Sequence, residues 1–72
     1  MKTIKAFRDE RGWTQLDLAY RLGVSPSTIY NWERGRNEPR VSQMRELASV
    51  LGVKMDEIEL PAVEEATKKL AA

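Results

Sequence analysis

The chain has 72 residues, a formal net charge of +1, and neither histidine nor cysteine. This length supports one small domain, and the missing residue types exclude disulfides, thiolate metal sites and the commonest general base, so we expect no enzyme and no cofactor. No apolar run approaches the roughly 18 residues needed to cross a bilayer, and no signal-peptide segment follows Met1, so we expect a soluble cytoplasmic protein.

The charge is divided unevenly along the chain. Residues 1–55 contain ten Lys and Arg against six Asp and Glu, whereas residues 56–72 contain two against five. A basic body of this kind is suited to a polyanionic partner. Many small soluble domains show a similar split, so the charge favours nucleic acid only in combination with other features.

Four glycines each follow a stretch with helical apolar spacing. They are Gly12, Gly23, Gly35 and Gly52, and they stand where helices commonly end in a left-handed residue. The spacing predicts an all-α fold with helices over residues 3–11, 15–22, 26–34 and about 41–51, and a short fifth helix over 55–60. No segment alternates apolar and polar residues long enough to predict a strand.

The starts of the second and third helices carry strong local signals. Thr14 can cap the second helix, with Asp17 completing a capping box. Ser25 can cap the third helix, and Pro26 fits its first turn because the missing N–H would have no helical partner there. Both helix starts are therefore specified by neighbouring residues.

The connection between these two helices is too short for an antiparallel hairpin, so they must cross steeply over Gly23. Ala19 is small enough to let the third helix approach, and Ile29 and Trp32 return to the core. Glycine tolerates the positive φ that the corner needs. This spacing predicts a helix-turn-helix.

The fourth helix has an apolar stripe that completes the predicted core. It comprises Val41, Met44, Leu47, Ala48 and Leu51, and is continued by Val53, Met55 and Ile58. We assign residues 1–60 to the domain and 61–72 to a tail that can form a short helix, with Glu64–Lys68 as an i,i+4 pair. A docked helix, part of a dimer interface and a linker are the alternatives for that tail.

The motifs WTQLDLAYRLGVSPSTIYNWERGRNEP and MRELASVLGVKMDEIEL resemble the lambda-repressor-like, or Cro-like, helix-turn-helix domains of the Xre family. The resemblance covers about residues 3–60. It implies a compact five-helix domain, usually dimeric on DNA, that regulates transcription in bacteria or their phages.

The outward side of the third helix supplies the candidates for base contact. Helical spacing turns Ser27, Tyr30, Asn31 and Arg34 away from Ile29 and Trp32. Asn31 can pair with adenine, Ser27 can donate or accept, and Tyr30 can pack on a thymine methyl or bond to phosphate. Thr28 either touches phosphate or bonds back to the Ser25 cap. Alternatively, this face is simply a solvated helix surface.

At position 26 the family often has a long polar side chain, whereas this chain has Pro26. Proline has no side-chain donor or acceptor, so base contact is expected to shift to Ser27, Thr28 and Asn31.

Phosphate contacts are expected from the residues around that helix. Gln15 opens the second helix, whose N-terminus suits an anion, and the resemblance assigns it a backbone contact and a role in holding the third helix. Arg34, Arg36 and Arg40 flank a loop, where guanidinium groups suit phosphate oxygens; a solvated cluster is the alternative. Arg21 and Lys5 are further candidates.

Other conspicuous residues are assigned to structure. Trp32, Trp13 and Phe7 have the spacing of core residues. Glu33 resembles the family's glutamate that pairs with an arginine of the first helix, which would be Arg8.

These features together predict a sequence-specific regulator of transcription, expected to be a repressor, that binds double-stranded DNA. Its third helix, about 26–34, would enter the major groove, and a homodimer would bind an approximately palindromic operator without a cofactor. The protein would be cytoplasmic and associated with the nucleoid when bound. The alternative is a protein-interaction module, such as a bridging factor or an antitoxin, that acts through a bound protein partner.

Overall fold

A computed structural model of the chain describes residues 1–61. In chain order the elements are β1 (Lys2–Thr3), α1 (Ile4–Glu10), α2 (Gln15–Leu22), α3 (Pro26–Arg34), α4 (Val41–Leu51), one turn of 3-10 helix (Met55–Glu57) and β2 (Ile58–Glu59). The tail helix and its Glu64–Lys68 pair, expected beyond Pro61, lie outside the described residues.

The predicted helix starts are confirmed. The Thr14 hydroxyl accepts the Asp17 N–H at 3.1 Å, and the Asp17 carboxylate accepts the Thr14 N–H at 2.8 Å, which completes the capping box. The Ser25 hydroxyl accepts the Thr28 N–H at 3.2 Å. The bounds of α2, α3 and α4 match the prediction, whereas α1 is one residue shorter at each end because Thr3 and Arg11 are its caps.

The fifth predicted helix is not confirmed. Residues 55–57 make a single 3-10 turn, after which the backbone at Ile58 becomes extended, with φ −90° and ψ 118°. The Ile58 side chain is thereby buried in the core. β2 pairs in parallel with β1, so that Lys2 lies opposite Ile58 and Thr3 lies opposite Glu59. The expectation of no strand was therefore wrong, although residues 1–61 remain predominantly helical.

The core lies between the four α helices and β2. Its buried members are Ile4, Phe7, Leu18, Ala19, Ile29, Trp32, Leu47, Ala48, Leu51 and Ile58, and Trp13 packs against them half-buried. The predicted stripe of α4 needs two corrections, because Val41 is 64% and Met55 37% exposed. Val41 is the first residue of α4 and Met55 is the first residue of the 3-10 turn, so both lie at the ends of their elements.

No helix within residues 1–61 has both the length and the apolar character needed to span a membrane.

Candidate nucleic-acid interface

The corner between α2 and α3 sets the direction of α3. Gly23 ends α2 in the left-handed conformation, with φ +72°, and its N–H donates to the carbonyl groups of Ala19 and Tyr20. A Cβ at Gly23 would meet no atom within 4 Å. Glycine is favoured here by the backbone angle rather than by lack of space. Ala19 is fully buried at the crossing, as its small size predicted.

The buried side of α3 fixes which residues face solvent. Ile29 is fully buried and Trp32 is 3% exposed. On the other side of the helix Ser27, Tyr30 and Arg34 are exposed, and Asn31 is half-buried. The Asn31 amide makes no hydrogen bond to the protein within residues 1–61, so its donors and acceptor are available to a ligand.

Thr28 differs from its neighbours on α3. It is half-buried, its hydroxyl lies 3.0 Å from the Ser25 hydroxyl, and its N–H donates to the same oxygen. Of the roles considered for Thr28, the structure shows the bond back to the Ser25 cap.

A buried ion pair joins the inner side of α3 to α1. The Arg8 Nε and Nη2 donate to the two carboxylate oxygens of Glu33 at 2.8 and 3.0 Å, as the resemblance implied. The two side chains are only 9% and 7% exposed, and the hydrogen bond with Glu33 raises the pKa of Arg8. Arg8 also donates to the Trp13 carbonyl at 2.8 Å. α1 is thereby tied to α3 and to the start of α2.

Gln15 joins the same network. Its side-chain N–H donates to Glu33 Oε1 at 3.0 Å, and the residue is half-buried at the start of α2. Glu33 is thus shared between α1 and α2. The amide oxygen of Gln15 makes no hydrogen bond within residues 1–61, and its position at a helix N-terminus is the one expected for a phosphate contact.

Three arginines at and after the end of α3 form an exposed basic edge, consisting of Arg34, Arg36 and Arg40. No carboxylate within residues 1–61 lies within 4.0 Å of any of their charged nitrogens. The two weaker phosphate candidates are already engaged. Lys5 pairs with Asp9 at 2.8 Å, and the Arg21 guanidinium lies 4.2 Å from the centre of the Trp13 ring.

Sequence reasoning missed two contacts at this edge. The guanidinium carbons of Arg34 and Arg36 lie 5.5 and 5.7 Å from the centre of the Tyr30 ring. The i,i+4 spacing of Tyr30 and Arg34 could have indicated the first contact. The second depends on the path of the chain after the helix.

Within residues 1–61 no three His, Cys, Asp or Glu side chains are placed so that they could hold a metal ion.

The chain is similar in sequence to a helix-turn-helix family and to individual known proteins. A family model described as helix-turn-helix matches residues 4–58. The chain is 37% identical over 60 residues to YazB, an uncharacterized HTH-type transcriptional regulator of Bacillus subtilis, covering 83% of this chain and 87% of that protein. It is 38% identical over 55 residues to the immunity repressor protein of Bacillus phage phi105, covering 76% of this chain but only 38% of the repressor.

A solved structure has a similar fold. The crystal structure of the hypothetical transcription factor NHTF from Neisseria superposes with a TM-score of 0.73 at 29% identity, covering 96% of this chain and 76% of that one. These three proteins are named a transcriptional regulator, an immunity repressor protein and a transcription factor, and none of the three is named as an enzyme.

Proposed function

The chain belongs to the helix-turn-helix family, and from that premise we propose that it is a sequence-specific repressor of transcription that binds double-stranded DNA. The observation that carries this proposal is the outward face of α3. The Ser27 hydroxyl and the Asn31 amide make no hydrogen bond within residues 1–61, whereas the inner face of α3 is fixed by the core and by Glu33. Base contact requires this combination of free polar groups and a rigid support.

Two side chains of α3 are assigned to bases. Asn31 can make paired hydrogen bonds to N6 and N7 of adenine in the major groove. Ser27 lies one turn earlier, where the first turns of such helices approach base edges. Pro26 contributes no side-chain hydrogen bond, so these two residues account for most of the sequence preference.

Four further side chains are assigned to the phosphate backbone. Gln15 would contact it from the N-terminus of α2, and Arg34, Arg36 and Arg40 from the exposed basic edge. Suppose that each of the three arginines in each protomer neutralises one phosphate. A plot of log affinity against log salt concentration for a two-fold dimer then has a slope of about −5.

The operator follows from the symmetry of a dimer. Two protomers related by a two-fold axis place their α3 helices in successive major grooves about 34 Å apart, which requires an approximately inverted repeat. In this proposal residues 1–60 form the DNA-binding domain and 61–72 a separate tail. The protein occupies its operator in the cytoplasm, on the nucleoid, and blocks access of the polymerase.

The decisive experiment is a binding selection from random duplexes, repeated at two salt concentrations. We expect a palindromic consensus with half-sites one helical turn apart, and an affinity that falls steeply with salt. Enrichment of no sequence would contradict specific recognition. A stable complex with a protein, together with no salt-sensitive binding to any duplex, would favour the bridging or antitoxin alternative.

A further inference from the structure

The Tyr30 ring stands at the centre of a charged cluster. The Arg34 and Arg36 guanidinium carbons lie 5.5 and 5.7 Å from its centroid. Both distances are within the range of about 6 Å over which a cation is attracted to an aromatic ring. One exposed ring therefore restrains two cationic side chains.

The end of α3 explains how both arginines reach the ring. Tyr30 and Arg34 are one turn apart on the same helix face. Gly35 then turns the chain in the left-handed conformation, with φ +73°, and the Arg36 N–H donates to the Asn31 carbonyl at 3.0 Å. This bond directs Arg36 back along the last turn of α3.

The charge of this cluster is not balanced by the described part of the protein. Neither arginine has a carboxylate of residues 1–61 within 4.0 Å, and the Tyr30 side chain is 40% exposed. Each guanidinium is therefore a positive charge without a carboxylate partner in residues 1–61, so an anion that binds to it lowers the energy of the cluster. A phosphodiester, with two oxygens for a guanidinium fork, fits this requirement.

We propose that Tyr30 is a positioning residue, which holds Arg34 and Arg36 for the phosphate backbone of one DNA strand and does not contact a base. An arginine side chain loses rotamer entropy when a ligand fixes it. A side chain that already lies against a ring loses less of it, so binding is tighter. The inference rests on the proposed DNA-binding function.

The first test compares two substitutions of Tyr30. Tyr30→Leu removes the ring and should weaken binding about three- to tenfold, equally on the selected operator and on a random duplex. Tyr30→Phe keeps the ring and should stay within about twofold of the wild type. An equal loss for Tyr30→Phe would assign the effect to the hydroxyl and overturn the proposal.

The chain supplies a matched control. Tyr20 lies on α2 and is 87% exposed, and no arginine within residues 1–61 lies over its ring. Tyr20→Leu makes the same chemical change on a helix surface and should leave DNA affinity unchanged. If the wild type binds DNA but Tyr30→Leu lowers the affinity no more than Tyr20→Leu does, this inference is overturned. The proposed function would then remain intact.

The second test asks whether Tyr30 acts through the arginines. In the Arg34→Ala/Arg36→Ala background, Tyr30→Leu should cause no further loss of affinity, because no guanidinium remains to be positioned. An additional loss of the original size, or a loss confined to one base pair of the operator, would identify a direct DNA contact instead.

A third readout uses the free protein. The Nε–Hε resonances of Arg34 and Arg36 should carry ring-current shifts that Tyr30→Leu removes and Tyr30→Phe retains. Unchanged resonances would overturn the proposed arrangement. Absence of salt-sensitive DNA binding by the wild type would instead reject the proposed function, and with it the phosphate that this inference assigns to the cluster.

Discussion

The polar side chains on the two sides of α3 differ in their hydrogen bonding. On the inner side Glu33 is almost fully buried, and hydrogen bonds from Arg8 and Gln15 satisfy its carboxylate. On the outer side the amide of Asn31 has no partner within residues 1–61, and Ser27 is exposed. The difference separates two tasks, since polar groups with internal partners fix the helix whereas the others are available to bind. Substitutions on the inner side should lower stability, and those on the outer side should lower affinity.

The largest effect is expected on the inner side, from Glu33→Ala. This substitution leaves Arg8 as a buried charge without its partner, which typically costs about 3–5 kcal/mol. Urea denaturation should show a lower midpoint with an unchanged slope. The double variant Arg8→Met/Glu33→Leu removes both charges and should recover most of that stability. A loss below about 1 kcal/mol for the single variant would mean that the ion pair does not hold α3.

The next effect is expected on the outer side, from Asn31→Ala. It should cost about 1–3 kcal/mol of binding free energy on the operator and relax the preference at one base pair. The free energy of unfolding should change by less than about 0.5 kcal/mol, because the amide has no internal partner. The exposed Asn37, in the loop after α3, gives the matched control Asn37→Ala. Equal losses on operator and random DNA would remove Asn31 from the base-contacting set.

A smaller and less selective effect is expected from Arg40→Ala at the start of α4. Loss of one phosphate contact should reduce the magnitude of the salt slope by about one per protomer and weaken operator and random DNA alike. Lys54, which follows the opposite end of α4, is the control, and Lys54→Ala should leave the slope unchanged. Equal slopes for both variants would place Arg40 outside the interface.

The smallest effect is expected in acid, where the capping box at the start of α2 should lose its contribution to stability. In the folded state, hydrogen bonding with Thr14 lowers the pKa of Asp17. The bond with the Thr14 backbone N–H has the larger effect, and the bond with its hydroxyl has the smaller one. The resulting stability is present above the unfolded-state pKa of about 3.9 and is lost as the pH falls through the lower folded-state value. Urea midpoints measured between about pH 2 and 6 should decline on acidification, and less steeply in Asp17→Asn. The same flattening in Asp56→Asn would show that the decline is not specific to the capping box.

The sequence was sufficient to predict three helices with their bounds because their signals are local. Thr14 and Ser25 begin α2 and α3, and Gly23, Gly35 and Gly52 end α2, α3 and α4. The pairing of β1 with β2 could not be predicted, since each strand has two residues and the strands are far apart in the chain. Two residues carry no periodicity, and the extended Ile58 is dictated by its burial against distant helices.

The candidate interface was predictable to a similar extent. Helical spacing identified the outward side of α3, and the resemblance identified the pair of Glu33 and Arg8. The contact of Arg36 with the Tyr30 ring depends on the turn at Gly35 and was not predictable from spacing. The stacking of Arg21 on Trp13 was not predictable from spacing either. It engages an arginine that composition alone would count as available to DNA.

The pairing of β1 with β2 has a consequence for the order of events during synthesis. The α2–α3 corner is contiguous in the chain and forms from near neighbours, whereas the two short strands can meet only after residue 59 has left the ribosome. Contacts between distant segments form late because closing a long loop costs entropy. A nascent chain should therefore form the α2–α3 corner before β1 and β2 pair, and we expect the domain to bind its target only after that pairing.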